Sequence, residues 1–424
     1  MRIYIVCIIC LFTFACSPRY EKYFINETDV LKYELTKAQS ECNLSDNYGP
    51  DQYTSIRYIR VNFHIIQDSN GEGNFNEAQA KKYIPELIES ANNKLANNEK
   101  MNLPVGNNTA VLQTQYRYVL QGNPETGEDG IYIHRDDSAC YFIKNKPSGL
   151  YSQNEKYVFK YSVGDDSIIN VYLIEHHPDS IRLNPNYNVT AGGISFGHNV
   201  KMFGGYYNNY TTFYDNEGGT FNKGTGMYGG LLNHEIGHSL GLNHTWRGND
   251  GCDDTPLNPG CYGAYDPPCD GVNSNNVMDY NTCTCALTPC QLGRVHYNFW
   301  KENSLQRQVL IEDWCEYHWD KKTLIKRDDN VVFNQGRDLL GDIEIQEGAT
   351  LTIQCQVSLP VGAKIIIKPT GKLILDGGIV TNRCGDEWEG IEIWKSKKLN
   401  VAGEVIWGNG GYIEHARNFV WLIQ

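Results

Sequence analysis

The sequence predicts an α+β chain in two parts: a mixed twisted sheet with helices, followed by a β-rich solenoid or β-helix-like region. Three observations carry this reading. Strand and helix signals alternate between residues 57 and 175. A helical stretch closed by a glycine occupies residues 231–246, LLNHEIGHSLGLNHTW. From about residue 330 the texture changes to short apolar triplets that follow glycines.

Residues 1–16 read MRIYIVCIICLFTFAC, with Arg2 ahead of an apolar run over 3–14. A bilayer needs about 20 apolar residues, so a run this short predicts an export signal and not a membrane span. Its end, Thr13-Phe14-Ala15-Cys16, resembles a bacterial lipobox, although Thr13 and Phe14 depart from the usual residues. Cys16 is therefore the candidate lipidation site, and an outer-membrane or cell-surface lipoprotein is expected, with ordinary cleavage and secretion as the alternative. Residues 17–53 are polar and read as a linker or prosegment; 54–318 form the sheet-and-helix domain and 330–424 the β-repeat region.

Arg57–Gln67 alternates and is rich in β-branched and aromatic residues, which predicts a strand that opens the domain. Residues 76–100 carry helical spacing (Ala80, Tyr83, Ile84, Leu87, Ile88, Ala91, Leu95), and Pro85 requires the helix to start near it or bend. Residues 109–120 and 167–175 read as further strands. Near the end, Leu351-Thr352-Ile353, Ile365-Ile366-Ile367, Leu373-Ile374-Leu375 and Ile391-Glu392-Ile393 follow Gly348, Gly362, Gly371 and Gly390. Their texture favours a parallel β-helix over a small sandwich. The apolar last residues, 421–424, carry no polar cap, so the repeat array is expected to continue past them.

A formal net charge of −13 and a pI near 5.3 argue against a nucleic-acid partner and supply no basic membrane patch. Membrane contact is expected only through the N-terminal lipid. Of 14 cysteines, removal of Cys7, Cys10 and Cys16 leaves an odd number, so at least one is unpaired within the chain. Six crowd between Cys252 and Cys290, where an exported protein would use them as a disulfide framework; a second zinc site on Cys283, Cys285 and Cys290 is the rival. Cys42 is the natural candidate for the leftover thiol. A thiolate there could occupy an open metal position and hold an enzyme latent until the prosegment is cut.

Within residues 231–246, His234, Glu235, His238, Gly241 and His244 spell HExxHxxGxxH. Residues four apart share a helix face, so His234 and His238 can present two imidazoles to one ion, with Glu235 beside them as a base. Gly241 can end the helix in the left-handed conformation and let His244 return as a third ligand. Three neutral imidazoles with a fourth position open describe a catalytic Zn2+ site.

The extended motif resembles the metzincin clan of zinc endopeptidases, and NHEIGHSLGLNHTW followed by Gly251-Cys252, Asp254-Thr255-Pro256 and the turn Asn276-Val277-Met278-Asp279-Tyr280 resembles its pappalysin family. The resemblance covers roughly residues 56–300. It implies a mixed sheet with backing and active-site helices, with Met278 packed beneath the ligands as the structural methionine of the Met-turn. Tyr280 matches the tyrosine that some members aim at the metal, where its hydroxyl would steady an oxyanion. It also places the sheet-edge strand at 191–199, AGGISFGHN, where an extended protein or peptide substrate would add as one more strand; a plain glycine-rich turn is the other reading, and His198 within it reads as a loop histidine. Relatives hold calcium around the acidic loop of Asp250, Asp253, Asp254 and Asp266. The short spacing between Cys252 and Asp254 admits Ca2+ here without predicting it. Gln291-Leu292-Gly293-Arg294 resembles the start of the family's C-terminal helix, with Cys290 in place of a glycine. The implied function is zinc-dependent hydrolysis of peptide bonds; the alternative is a surface adhesin or glycan-binding protein with an inactive protease domain.

Overall fold

The structure, a computed structural model, describes residues 19–25, 31–32, 42–123, 125–142, 158–177, 182–186, 192–206, 225–246, 250–281 and 283–418. The export signal and Cys16 lie outside the described residues. Two compact units are present. The first comprises Glu41–Asp313 with Gln335–Asp338; the second takes the N-terminal segment, Trp314–Asn334 and the chain from Leu339 onward. Among the described residues no helix is long and apolar enough to cross a membrane.

Of residues 17–53, read from sequence as a linker or prosegment, the described ones belong to both units. Strands β1 (Tyr20–Phe24) and β2 (Leu31–Lys32) belong to the second unit. In the first, Ser45–Tyr48 form a 3-10 turn whose Tyr48 is buried, donates to the Cys42 carbonyl at 2.9 Å and accepts from the Gly336 amide at 3.0 Å. Strands of five and two residues carry too little alternation to show in a polar sequence, which is why composition alone suggested a linker.

The first unit is a seven-stranded sheet backed by helix. Its centre is β3 (Arg57–Gln67), parallel to β4 (Tyr116–Leu120) and β5 (Ile131–Arg135) on one side and to β7 (Ile169–His176) on the other. The short β6 (Tyr141–Phe142) joins β7. Parallel β9 (Asn199–Gly204) and antiparallel β8 (Gly192–Phe196) complete the sheet, so β8 is its edge. Every residue of β7 is buried, as its continuous apolar run requires. Helix α1 (Glu77–Ala96) opens with a capping box between Asn76 and Gln79 and buries all seven apolar positions picked out by spacing. The helix continues through Pro85, which lies on the exposed face where the freed carbonyl can take water.

On one face of the sheet a polar cluster gathers around the fully buried His64. His64 Nε2 stands 2.9 Å from Asn170 Oδ1 and its Nδ1 2.9 Å from His134 Nε2, with the ring stacked between Tyr132 and Tyr172. Burial pushes the His64 pKa down to about 3, outweighing the raising effect of the Asn170 bond. The unfolded chain binds this proton near pH 6.5, so stability is full above that pH and falls as pH drops toward 3. We expect His64→Gln to flatten the pH dependence of the urea midpoint between pH 6 and 4 by up to about 1.4 kcal/mol per pH unit, relative to the parent.

The second unit is a parallel β-helix. Strands β10 (Thr323–Ile325), β13 (Ile343–Ile345), β16 (Lys364–Ile367) and β19 (Gly390–Ser396) stack in register along one wall. A second wall holds β11 (Asn330–Phe333), β14 (Thr350–Ile353), β17 (Lys372–Asp376) and β21 (Glu404–Gly408). A third holds β15 (Gln356–Ser358), β18 (Ile379–Thr381) and β22 (Tyr412–Ile413). The two remaining short strands are β12 (Arg337–Asp338), in the first unit, and β20 (Val401–Ala402), antiparallel to the end of β19. The apolar triplets are the inward rows: Ile325, Ile345, Ile367 and Ile393 form one column, and Phe333, Ile353, Leu375 and Trp407 another. Each coil buries its apolar residues only against its neighbours, so the columns are the core. Cys315–Cys384 is a disulfide within this unit.

Candidate metal centre

Helix α2 (Thr225–Ser239) carries the HExxH residues. It ends as the glycine predicts: Gly241 has φ +96°, the Gly241 amide bonds His238 O at 3.0 Å and the Leu242 amide reaches back to Gly237 O at 3.0 Å. A Cβ at Gly241 would lie 2.7 Å from the Asn298 amide, which itself donates to Leu240 O and fastens the helix end. The chain then reverses and returns His244.

The three imidazoles converge. His244 Nε2 lies 3.1 Å from both His234 Nε2 and His238 Nε2. The opposite ring nitrogens of the helical pair are engaged: His234 Nδ1 with Val277 O at 2.7 Å and His238 Nδ1 with Leu242 O at 2.8 Å. A carbonyl can only accept, so both Nδ1 atoms carry the proton and both Nε2 atoms present bare lone pairs. Burial, then the neighbouring His238, drives His234 down to about 3, and burial lowers His238 as well. Neutral imidazoles whose lone pairs face one another at hydrogen-bond distance are a donor set that fits a cation. Three nitrogens about 2.0–2.1 Å from a tetrahedral Zn2+ would stand roughly 3.3 Å apart.

Glu235 is buried beside this set, and desolvation raises its carboxyl to about 8. Above it runs the edge strand. A Cβ on Gly193 of β8 would fall 2.5 Å from the Glu235 carboxylate, so only glycine lets the edge-strand backbone lie against that side chain. Ser195 of β8 and Ser239 at the end of α2 share a 2.7 Å hydroxyl contact that holds strand and helix together. His198 lies in the β8–β9 turn, buried, with Nδ1 3.7 Å from Asp166, and is no part of the cluster.

The turn of residues 276–280 lies beneath. Met278 is fully buried with its sulfur against Gly237 of α2. Asn276 and Gln291 exchange reciprocal amide bonds of 2.8 and 3.0 Å, and Asn276 Oδ1 also accepts from the Met278 amide. Gln291 closes the capping box of α3 (Pro289–Trp300) with Thr288, so the turn is joined to a helix start. Asp279 accepts from the Trp246 amide at 3.1 Å and from Asn258 at 3.0 Å, tying the turn to the segment that bears His244. Tyr280 is 47% exposed, its ring 5.2 Å from His244 and 6.0 Å from His234. Trp246 stacks on His244 at 5.5 Å. Sequence reasoning passed over Asp279, Asn276 and Trp246, because a buried polar anchor has no spacing signature; their adjacency to Met278 and His244 was the available hint.

Cys42 is disulfide-bonded, so the leftover thiol and the latency role read from sequence do not belong to it; among the described residues the free cysteine is Cys140, buried and far up in pKa at about 12 through desolvation. Cys283–Cys285 and Cys252–Cys290 are disulfides, which removes the second zinc site, and Cys261–Cys269 is a third in this region. They brace the loops around the Met-turn. Among the described residues the aspartates of the acidic loop take separate partners: Asp254 accepts from Thr288 and the Cys290 amide, Asp250 from Thr255 and the Cys252 amide, and Asp266 from the Gly263 amide.

Residues 199–299 match the family model described as Peptidase_M43, pregnancy-associated plasma protein-A. Over this segment, less than half of the chain, the sequence is similar to the pappalysin family of metallopeptidases. No curated protein matches the chain. Solved structures to which it is similar include mirolysin in complex with compound 9, at 18% identity and TM-score 0.38 over 60% of this chain and 96% of that one. Mature mirolysin of Tannerella forsythia in complex with a cleaved peptide gives 19% identity and TM-score 0.39 over 61% and 96%. A promirolysin mutant of the same organism gives 18% and 0.38 over 62% and 85%.

Because Asp279 holds the return segment, we expect Asp279→Ala to weaken binding of one Zn2+ equivalent by about 10–100-fold, read by chelator competition. Circular dichroism of the metal-free protein should stay that of the parent, which separates lost positioning from lost folding.

Proposed function

We propose that the chain is an exported zinc metalloendopeptidase that hydrolyses extended peptide segments of protein substrates, with Glu235 as general base. The observation that carries this is the juxtaposition of three converging imidazoles with a buried carboxylate lying directly under the edge strand of the sheet. His234, His238 and His244 would hold the ion. A bound Zn2+ supplies Lewis acidity, activating water at neutral pH and polarising a carbonyl.

The chain's own residues supply the rest. The outer edge of β8 offers backbone donors and acceptors that an extended peptide can pair with, fixing its direction and presenting one bond beside Glu235. The Glu235 carboxylate, in its ionised form, takes a proton from the attacking water and returns it to the leaving amine as the C–N bond breaks. A nearby cation favours that ionised form over the neutral one imposed by burial alone. Tyr280, exposed with its ring 5.2 Å from His244, would donate its hydroxyl to the oxyanion. Export is supported by the apolar leader and by disulfides that persist only in an oxidising compartment. Cys16 acylation would anchor the protein at the surface. A binding protein with a decayed site is disfavoured, since the three histidines converge and Glu235 is retained beside them.

Two substitutions test this. Glu235→Ala should lower kcat/KM on an unfolded protein substrate by about three orders of magnitude or more, with one Zn2+ still bound. Gly193→Ala should displace the Glu235 carboxylate and cost about 100-fold, mainly in kcat, again with zinc retained. Cleavage that survives in Glu235→Ala would overturn the assignment of the base.

A further inference from the structure

Cys283 and Cys285 are joined across a single intervening residue, and this bridge does not fit the bracing role of its neighbours. A disulfide stabilises a fold chiefly by closing a loop in the unfolded chain, and the effect grows with the length of that loop. The sequence separation is 38 for Cys252–Cys290 and 8 for Cys261–Cys269, against 2 for Cys283–Cys285. Of the three, this bridge therefore constrains the unfolded chain least.

It also holds the chain in an unfavourable conformation. Thr284, the residue between the two cysteines, has φ +45°, in the left-handed region that β-branched residues avoid. Its amide donates to Asn281 Oδ1, and its hydroxyl packs against Gly230 of α2, one turn before His234. The flanking cysteines are anchored on their own account. The Cys283 amide donates to Asn281 Oδ1 at 2.9 Å and Cys283 O accepts from Lys94 of α1 at 2.9 Å; the Cys285 amide donates to Asn275 O at 3.0 Å and Cys285 O accepts from the Glu99 amide at 3.1 Å. Opening the bond would free Thr284 to leave the left-handed region while the two sulfurs stay neighbours. Both cysteines are partly exposed, whereas Cys252 and Cys261 of the other two bridges are buried. Cys285 lines a cavity of about 320 Å³ together with Lys94, Glu99 and Thr225, which gives a small thiol access to the bridge.

We propose that Cys283–Cys285 is a thiol–disulfide exchange site, which takes its electrons from a low-molecular-weight thiol and whose state sets the wall of the cavity between α1 and α2. The thiolate of one reductant molecule attacks a bridge sulfur, forming a mixed disulfide as the Cys283–Cys285 bond breaks, and the displaced cysteine thiolate takes a proton. A second reductant thiolate then displaces the other cysteine, which is protonated in turn. The bridge is reduced by two electrons to two thiols, and two reductant thiols are oxidised to one disulfide. The Met-turn is secured without the bridge, since the Val277 amide donates to Ala286 O at 2.8 Å and Asn276 is held by Gln291, so the three imidazoles keep their support in both states. The exchange requires no peptidase activity.

The test equilibrates the metal-loaded full chain in graded mixtures of reduced and oxidised glutathione, quenches in acid, alkylates and reads each cysteine by peptide mass spectrometry, with metal content, circular dichroism and hydrogen exchange alongside. Cys283–Cys285 is expected to be half-reduced in a mixture at least about 100-fold less reducing than Cys252–Cys290 and Cys261–Cys269 require. Metal content and the spectrum should match the oxidised chain, while the 283–285 amides exchange faster. Thr284→Gly, which adopts the left-handed conformation freely, should make the bridge about tenfold harder to reduce, and Thr284→Ala should stay within about threefold of the parent. Joint reduction of the three bridges, or reduction of this one only with loss of metal or of the spectrum, would overturn the exchange site. Equal midpoints for the glycine and alanine variants would overturn the strain that singles this bridge out, and unchanged exchange at 283–285 would overturn the change in the cavity wall.

Discussion

Imidazole nitrogens held 3.1 Å from one another in a partly buried site suit a positive charge standing among them, and much of the first unit is arranged to hold them there. Two backbone carbonyls fix the tautomers of the helical pair, so the metal-facing nitrogens cannot satisfy themselves by carrying protons. Holding these nitrogens so close together is a local conflict. It persists because the surrounding backbone is over-determined by caps, turns and amide pairs that do not themselves touch the ion.

Those supports form one connected frame. The left-handed Gly241 turns the chain so that Leu242 O can meet His238, and Asp279 catches the following segment at Trp246. The Met-turn places Val277 O against His234 and is itself secured through Asn276 to the capping box of α3. Disulfides close the loops on either side. On the opposite face of the site, Gly193 permits the edge strand to lie on Glu235, so a substrate paired to that strand would meet base and metal ligands together. In the proposed function, binding, proton transfer and metal ligation would thus rest on three neighbouring pieces of backbone.

The parts legible in the sequence were those with a period. HExxHxxGxxH gave the ligand geometry because a helix repeats at 3.6 residues, and the apolar spacing of α1 named its buried face in full. Triplets after glycines gave the β-helix because one inward row recurs in every coil. What lacked a period stayed hidden. Cys42 looked like the spare thiol by position alone, yet pairing depends on which cysteines the fold brings together, and the spare proved to be Cys140. The strands at 20–24 and 31–32 were invisible because their partners lie some 370 residues away in sequence, as in Tyr20 opposite Ser396 (396 − 20 = 376). Asp279 could not be singled out, since its function is a hydrogen bond to a backbone amide and not a pattern.

The account stands or falls on what the three imidazoles hold. Anomalous diffraction at the zinc edge from crystals of the metal-loaded protein addresses this directly. The account predicts one strong peak about 2.0–2.1 Å from the Nε2 atoms of His234, His238 and His244, and none at the cysteines near 283–290. A peak elsewhere, or Nδ1 ligation that breaks the bonds to Val277 O and Leu242 O, would contradict it.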